Sequence, residues 1–88
     1  MGFLILSRRI GEKVMVGDQE FVLASCSFQN GYAKMRDFIG RIYHLHVGQK
    51  VILMPNVTVQ LCAISGRQCK LGFEAPQEVK IVREELLK

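Results

Sequence analysis

Short runs of Val, Ile, Leu and Phe follow one another along the chain, and each run ends at residues that favour turns. The breaks fall at Gly11, Gly17-Asp18, Asn30-Gly31, Pro55-Asn56, Ser65-Gly66 and Ala75-Pro76. Apolar runs of this length, rich in β-branched residues and bounded by Gly, Pro and Asn, are typical of strands. The pattern therefore predicts an antiparallel all-β fold.

Alternation of apolar and polar residues is clearest in the last third of the chain. One run would place on a single face Val57, Val59, Leu61 and Ala63. The next run would do the same with Cys69, Leu71 and Phe73. Because the side chains of a strand alternate between its two faces, we expect two strands that each bury one face.

Two tight turns are predicted. Asn30-Gly31 is the strongest hairpin signal, because both residues tolerate the positive φ that a type I′ turn demands. Ser65-Gly66-Arg67 predicts the other turn.

Two segments carry helical features. The segment 33–45 fits one helical face, but Gly40 interrupts it, so a helix and two strand ends both stay open as interpretations. The tail 82–88 is rich in helix formers, with acids early and Lys88 last, as the helix dipole prefers. It predicts a short C-terminal helix.

An internal repeat crosses the first of these segments. Residues 10–16 align with residues 47–53, and after a one-residue slip Cys26 meets Cys62 and Lys34 meets Lys70. A duplication and a pair of merely similar strands are both compatible with so few identities.

The 88 residues are 49% hydrophobic and 23% charged, which fits one small globular domain. A core of this size is modest, so dimerisation or interleaved strands would stabilise the fold. The net charge of +4 favours an anionic partner, either nucleic acid or an acidic membrane surface.

The apolar opening, residues 3–6, is cut off by Arg8 and Arg9, far short of the roughly 18 apolar residues that a membrane helix requires. We therefore expect no membrane span. Cys26, Cys62 and Cys69 lie inside apolar runs, which suits reduced thiols in the cytoplasm better than a disulfide framework.

Arginines are the candidate functional residues. Arg8 and Arg9 end the first apolar run, where two guanidinium groups could grip phosphates or guanine; a solvated arginine pair is the alternative. Arg83 follows Val79 and Ile81 at a spacing of two, so an extended strand would place all three on one face. The alternative is a helix-start arginine that pairs with a following glutamate.

Two blocks of sequence resemble the carbon storage regulator (CsrA/RsmA) family of bacterial translational regulators. The first comprises residues 4–12 and 15–18, with Ser7, Arg8 and Arg9 at its centre. The second comprises residues 66–72, Glu74-Ala75-Pro76, and residues 78–85. Together the blocks cover roughly half of the chain.

The resemblance implies a small strand-exchanged β barrel or sandwich that is dimeric, with the first and last strands of opposite subunits side by side at two RNA sites. Family members bind GGA triplets in single-stranded loops of messenger leaders or sequestering small RNAs, and usually repress translation. Carried over onto this sequence, the RNA-binding residues are Leu6, Arg8, Arg9, Val79, Ile81, Arg83 and Glu84. Further phosphate-contact candidates are Lys13, Arg67 and Lys80.

The chain departs from the family between Asp18 and Val57, so we interpret residues 1–88 as a single domain with an insertion at about 19–56. If the insertion is a degenerate second copy, Leu45 and His46 replace Arg8 and Arg9, and the chain is a single-chain pseudo-dimer with one RNA site. The alternative is a homodimer with two RNA sites.

Other functions have weaker signals. His44 and His46 share a strand face, but no C-x-x-C spacing supports a zinc site, and no nucleophile or acid–base pair indicates an enzyme. We expect no metal, no cofactor and no catalysis. The alternative function is a protein-interaction module that pairs with a partner, a family member or a regulatory antagonist, and has lost RNA binding.

Overall fold

A computed structural model describes residues 2–83. Over this range the chain forms strands and turns and no helix, which confirms the all-β prediction. The strands are β1 (Gly2–Arg9), β2 (Lys13–Val16), β3 (Gln19–Ser27), β4 (Tyr32–Asp37), β5 (Ile42–His46), β6 (Lys50–Met54), β7 (Val57–Ser65), β8 (Gln68–Ala75) and β9 (Ile81–Arg83).

The strands form two antiparallel sheets. The four-stranded sheet has the order β1-β8-β7-β6, and the five-stranded sheet has the order β5-β4-β3-β2-β9. The amino-terminal half, β1–β4, and the carboxy-terminal half, β5–β9, each place their first strand at the edge of the other half's sheet. Strand β9 also crosses over and pairs with β2. Strand exchange, the expected feature of this fold, therefore occurs within one chain.

The two halves repeat one backbone arrangement. The Gly11 N–H donates to the Leu23 carbonyl at 2.8 Å, and the Gly48 N–H donates to the Leu61 carbonyl at 2.9 Å. Both glycines have φ in the left-handed region, +91° and +89°. A register shift follows Leu23 in β3 and Leu61 in β7. The turns after β1 and β5 are therefore equivalent, as the alignment of residues 10–16 with 47–53 predicts.

Side-chain positions follow the predicted repeat only in part. Lys34 is paired with β5 and Lys70 with β1, so these two lysines hold equivalent places. Cys26 lies next to the end of β3, whereas Cys62 lies at the register shift of β7. The alignment of Cys26 with Cys62 was therefore wrong: the pairing of β6 with β7 shifts register between Ile52 and Met54, the pairing of β2 with β3 has no such shift, and Ile64 is the residue equivalent to Cys26.

The core lies between the two sheets. Its fully buried members include the predicted Cys69, Leu71 and Phe73 of β8, which are confirmed. In β7 the predicted face is confirmed up to Leu61 but is wrong for Ala63, which is exposed. The register shift between Leu61 and Ala63 turns Ile64 inward instead. The other large side chains that are fully buried are Val14, Val16, Phe21, Leu23, Met35, Leu45, Val57 and Val59.

Both predicted turns connect hairpins, but one has a different form. Residues 28–31 make a four-residue loop, in which the Gly31 N–H donates to the Phe28 carbonyl at 3.3 Å. Asn56 is the one non-glycine residue with positive φ among residues 2–83, so Asn30 does not adopt it and the type I′ prediction is wrong. The turn at Gly66, with φ +63°, is confirmed between β7 and β8.

The ambiguous segment 33–45 consists of two strand ends, and the helical interpretation is wrong. Asp37 explains the turn between these strands, because its Oδ1 accepts hydrogen bonds from the backbone N–H groups of Ile39 at 3.1 Å and Arg41 at 2.9 Å. The predicted C-terminal helix does not begin at Val82, since residues 81–83 form β9. The rest of that prediction, residues 84–88, lies outside the described residues.

Candidate nucleic-acid interface

The first strand and the closing segment of the chain line one groove, with a volume of about 200 Å³. Phe3 and Leu4 contribute from β1, Val79 contributes from the segment that leads into β9, and Ile81 is the first residue of β9. Strands β1 and β9 are end strands of different sheets. The two sequence blocks with candidate binding residues therefore meet at adjacent sheet edges.

The closing segment is fixed by backbone bonds. Val79 precedes β9, and its N–H donates to the Pro76 carbonyl at 3.0 Å. The extended strand predicted to include Val79 therefore begins only at Ile81, because a turn holds residues 77–79. The Gly17 N–H donates to the Lys80 carbonyl at 2.7 Å and holds the segment against β2. Leu6, Val79 and Ile81 are partly buried and pack against the core.

Arg8 is buried, with only 4% of its surface exposed. Its Nε donates to the Ser7 carbonyl at 2.8 Å, its Nη1 donates to the Lys13 carbonyl at 3.0 Å, and its Nη2 lies 3.8 Å from a Glu12 carboxylate oxygen. These contacts join the end of β1 to the start of β2. The arrangement suits a residue that positions its neighbours.

Arg9 is exposed on the opposite face of the same strand, as strand alternation requires. Its backbone N–H donates to Glu12 Oε1 at 2.7 Å. It lines a groove of about 400 Å³ that also contains Arg67 and Gln68. Two guanidinium groups in one open groove can hold a polyanion.

Arg83 lies in β9 opposite Val14 of β2. The residue before Val14 is Lys13, whose carbonyl accepts a hydrogen bond from the Arg8 guanidinium. Strand β2 thus contacts the Arg8 side chain and pairs with the backbone of Arg83. Glu84, the last predicted contact, lies outside the described residues.

The other cations predicted to contact phosphate have mixed surroundings. Lys13 forms an ion pair with Glu20, with 3.3 Å between Nζ and the carboxylate. Lys80 and Arg67 are exposed. Lys70 was not predicted, yet it is exposed and pairs with Ser7 of β1, two residues from Gln68 in the groove that contains Arg9.

Sequence analysis also missed the contact of Phe3 with Gly72. A Cβ added at Gly72 would lie 2.7 Å from Phe3 Cζ and 3.2 Å from Cys62 Sγ. The glycine therefore lets the Phe3 ring lie across β8. A glycine inside an apolar strand run was the available signal, since such residues often mark a close approach.

At the position equivalent to Arg9, strand β5 carries His46. The Tyr32 ring lies 5.0 Å from the His46 ring and 5.9 Å from the His44 ring, between centroids, and the Tyr32 hydroxyl is hydrogen-bonded to His44 Nδ1. Leu45, equivalent to Arg8, is buried. The end of β5 therefore carries an aromatic cluster where the end of β1 carries the arginine pair.

Asp37 and Tyr43 form a partly buried network beside that cluster. Desolvation would raise the pKa of Asp37, but hydrogen bonds from the Arg41 N–H, the Tyr43 hydroxyl and the Ile39 N–H outweigh it and hold the pKa below the usual 3.8. Burial, and next the bond to Asp37, raise the pKa of the Tyr43 hydroxyl. The network is structural, because the carboxylate points into the β4–β5 turn.

Three further findings concern chemistry and location. Cys26, Cys62 and Cys69 are free thiols, and burial raises the pKa of Cys69 to about 12. Within residues 2–83, no three His, Cys, Asp or Glu side chains are grouped to hold a metal ion. In the same range, no helix is long and apolar enough to cross a membrane.

The fold and the interface define a strand-exchanged β protein with an arginine-bearing strand edge. The model of the family described as "CsrA: Global regulator protein family" matches residues 45–88, half of the chain. The chain belongs to this family. No solved structure matches it at the threshold of significance.

Similar curated proteins are translational regulators. "Translational regulator CsrA" of Thermotoga petrophila is 42% identical over 40 residues, which cover 46% of this chain and 48% of the relative. The protein of the same name from Thermosipho africanus is 38% identical over 40 residues, covering 55% of that relative, and the one from Bacillus velezensis is 42% identical, covering 54%. The match thus spans about half the length of these relatives.

Proposed function

We propose that this chain is a post-transcriptional regulator in the cytoplasm that binds GGA triplets in single-stranded loops of messenger leaders or small RNAs, without catalysis. The observation that carries the proposal is the meeting of β1, which bears Arg9, with the segment that leads to Arg83. Unstacked loop bases expose Watson–Crick edges, which strand-edge backbone groups and an arginine can read while other cations hold phosphates.

The environments of the predicted residues suggest different roles. Leu6, Val79 and Ile81 would frame the apolar floor on which a base lies, because they are partly buried against the core. Arg9 would contact phosphate, since it is exposed beside Arg67. Arg8 would act as a positioning residue.

We further propose that residues 2–37 and 42–83 are two copies of one unit, so that a single chain forms a pseudo-dimer. The exchanged first strands and the equivalent Gly11 and Gly48 turns support this interpretation over a simple insertion at 19–56. The family match, residues 45–88, begins within the second copy and includes no residue of the first. With Leu45 and His46 in place of an arginine pair, we expect one RNA site per chain.

Native mass spectrometry tests the proposal. The full chain is titrated with a hairpin that displays GGA in its loop and, in parallel, with the same hairpin carrying CCA, at fixed salt because phosphate contacts are salt-dependent. We expect a GGA-selective complex of one chain with one RNA. Equal binding of both hairpins would refute GGA recognition, and a complex of two chains with two RNAs would refute the pseudo-dimer.

A protein-interaction module without RNA binding is the second candidate function. The observation that favours it is the edge of β6, which carries no neighbouring strand within residues 2–83. Absence of any RNA complex in the titration would favour this candidate.

A further inference from the structure

The two sheets differ by one strand at equivalent places. In the five-stranded sheet, β9 covers the outer edge of β2. The repeat of the Gly11 and Gly48 turns relates β2 to β6. Strand β6 ends the four-stranded sheet, and among residues 2–83 no strand lies beyond it. The place that corresponds to β9 is therefore open beside β6 in the part of the chain that the structure describes.

The connections between strands explain this difference. After β8, residues 76–80 lead across to the other sheet and into β9. After β4, residues 38–41 close directly into β5, and the Asp37 N–H donates to the Arg41 carbonyl at 3.1 Å. The amino-terminal half has no residues left between β4 and β5 for a closing strand.

The edge of β6 is apolar and little protected. Ile52 is 69% exposed, whereas Met15, its equivalent in β2, is half-buried and pairs with Val82 of β9. Lysine is a residue type that commonly protects an edge strand from pairing with another chain. Here the Lys50 Nζ lies 3.5 Å from a carboxylate oxygen of Glu74 in β8, so the side chain extends over its own sheet. An edge strand directs unpaired N–H and carbonyl groups outward, so β6 is a template for another strand.

We propose that β6 binds an extended segment of a second protein as the fifth, antiparallel strand of its sheet. The segment would have the chemistry of β9, with apolar residues followed by an arginine. The pairs Val14 with Arg83 and Met15 with Val82 set the register, which places an apolar residue opposite Ile52. Main-chain hydrogen bonds would supply affinity, and the contact of Ile52 with the apolar residue opposite it would supply specificity. This goes beyond RNA binding, because neither β1 nor β9 takes part.

Near its end, β6 already has an internal contact. The Tyr43 hydroxyl oxygen, whose proton is donated to Asp37, lies 3.4 Å from the Leu53 carbonyl oxygen, which is long for a hydrogen bond between oxygens. We therefore expect the incoming segment to pair first along residues 50–52.

The test uses the full chain and a fluorescent peptide with the sequence of residues 76–85. We expect saturable binding by fluorescence anisotropy, and slower amide hydrogen exchange at residues 50–54 when the peptide is bound. Ile52→Lys should weaken binding by about tenfold or more, since it places a charge at the paired edge. A peptide with proline at the position of Val82 should not bind, because proline lacks the N–H that a strand ladder uses.

Phe28→Lys is the matched control. Phe28 is also 69% exposed, but it lies in the β3–β4 loop, and this variant should bind the peptide like the parent chain. Binding unaffected by Ile52→Lys, or absent in the parent, would overturn the proposal. Protection at residues 13–16 instead of 50–54 would also overturn it, because the peptide would then be displacing β9.

Self-association is a separate outcome. Concentration-dependent dimers that Ile52→Lys abolishes, without peptide binding, would assign the edge to a second copy and refute the proposed partner. Titration of the same variants with the GGA hairpin should show unchanged RNA affinity. Peptide binding at β6 can therefore fail while GGA binding is observed, and GGA binding can fail while peptide binding is observed.

Discussion

The Tyr43 hydroxyl donates a hydrogen bond to the Asp37 carboxylate at 3.0 Å, and this pair anchors the β4–β5 hairpin. Phe21 packs edge-on against the Tyr43 ring at 5.8 Å between centroids. Asp37 also accepts the two turn N–H groups, so one carboxylate joins the turn to the core.

The Asp37 network predicts loss of stability in acid. The pKa of Asp37 is lower in the folded chain than its usual 3.8, so its contribution to stability is complete above that value and is lost as pH falls through the folded pKa. Asp37→Asn should lower the free energy of unfolding at pH 7 and flatten its fall between about pH 5 and pH 2. Urea denaturation across this range measures both effects.

Tyr43→Phe is the control for that experiment. It removes one of the three hydrogen bonds and keeps the carboxylate, so the acid dependence should shrink but persist. An Asp37→Asn variant with the acid dependence of the parent chain would show that other carboxyl groups govern the loss.

Arg8 should matter for stability more than its neighbour. Arg8→Ala removes a buried guanidinium that donates to two backbone carbonyls, and should cost about 2 to 4 kcal/mol of unfolding free energy. Arg9→Ala, at an exposed site, should change it by about 0.5 kcal/mol or less. Chemical denaturation compares the two variants, and equal losses would contradict the positioning role.

The sequence predicted the strands of β7 and β8 well because alternation follows directly from burial of one face. It could not place Ala63, since one extra residue at a register shift reverses the facing of all that follow. It also grouped Arg8 with Arg9 as contacts, although consecutive residues of a strand point to opposite faces and Arg8 turns inward. The crossing of β9 to β2 depends on long-range pairing, which local patterns do not encode.

Cys69 should be the least reactive thiol. It is fully buried, and burial raises its pKa to about 12, so almost no thiolate forms at neutral pH. Cys26 and Cys62 are only half-buried. A thiol reagent followed by mass spectrometry should label these two first and Cys69 only in denaturant. First labelling at Cys69 would indicate that the β8 core opens in the native state.

Arg83 and Arg9 should affect RNA binding in different ways. If Arg83 reads a base, Arg83→Ala should cost about 1 to 3 kcal/mol with the GGA hairpin and reduce the preference over CCA. If Arg9 holds phosphate, Arg9→Ala should weaken both hairpins alike and lower the slope of log K against log salt by about 0.7, the value for one single-strand phosphate contact. Arg36→Ala is the control, since Arg36 is exposed on β4 and lines neither the groove that contains Arg9 nor the groove that contains Val79 and Ile81. Anisotropy titrations at several salt concentrations separate the two effects, and an Arg83→Ala variant that binds GGA like the parent would remove Arg83 from the site.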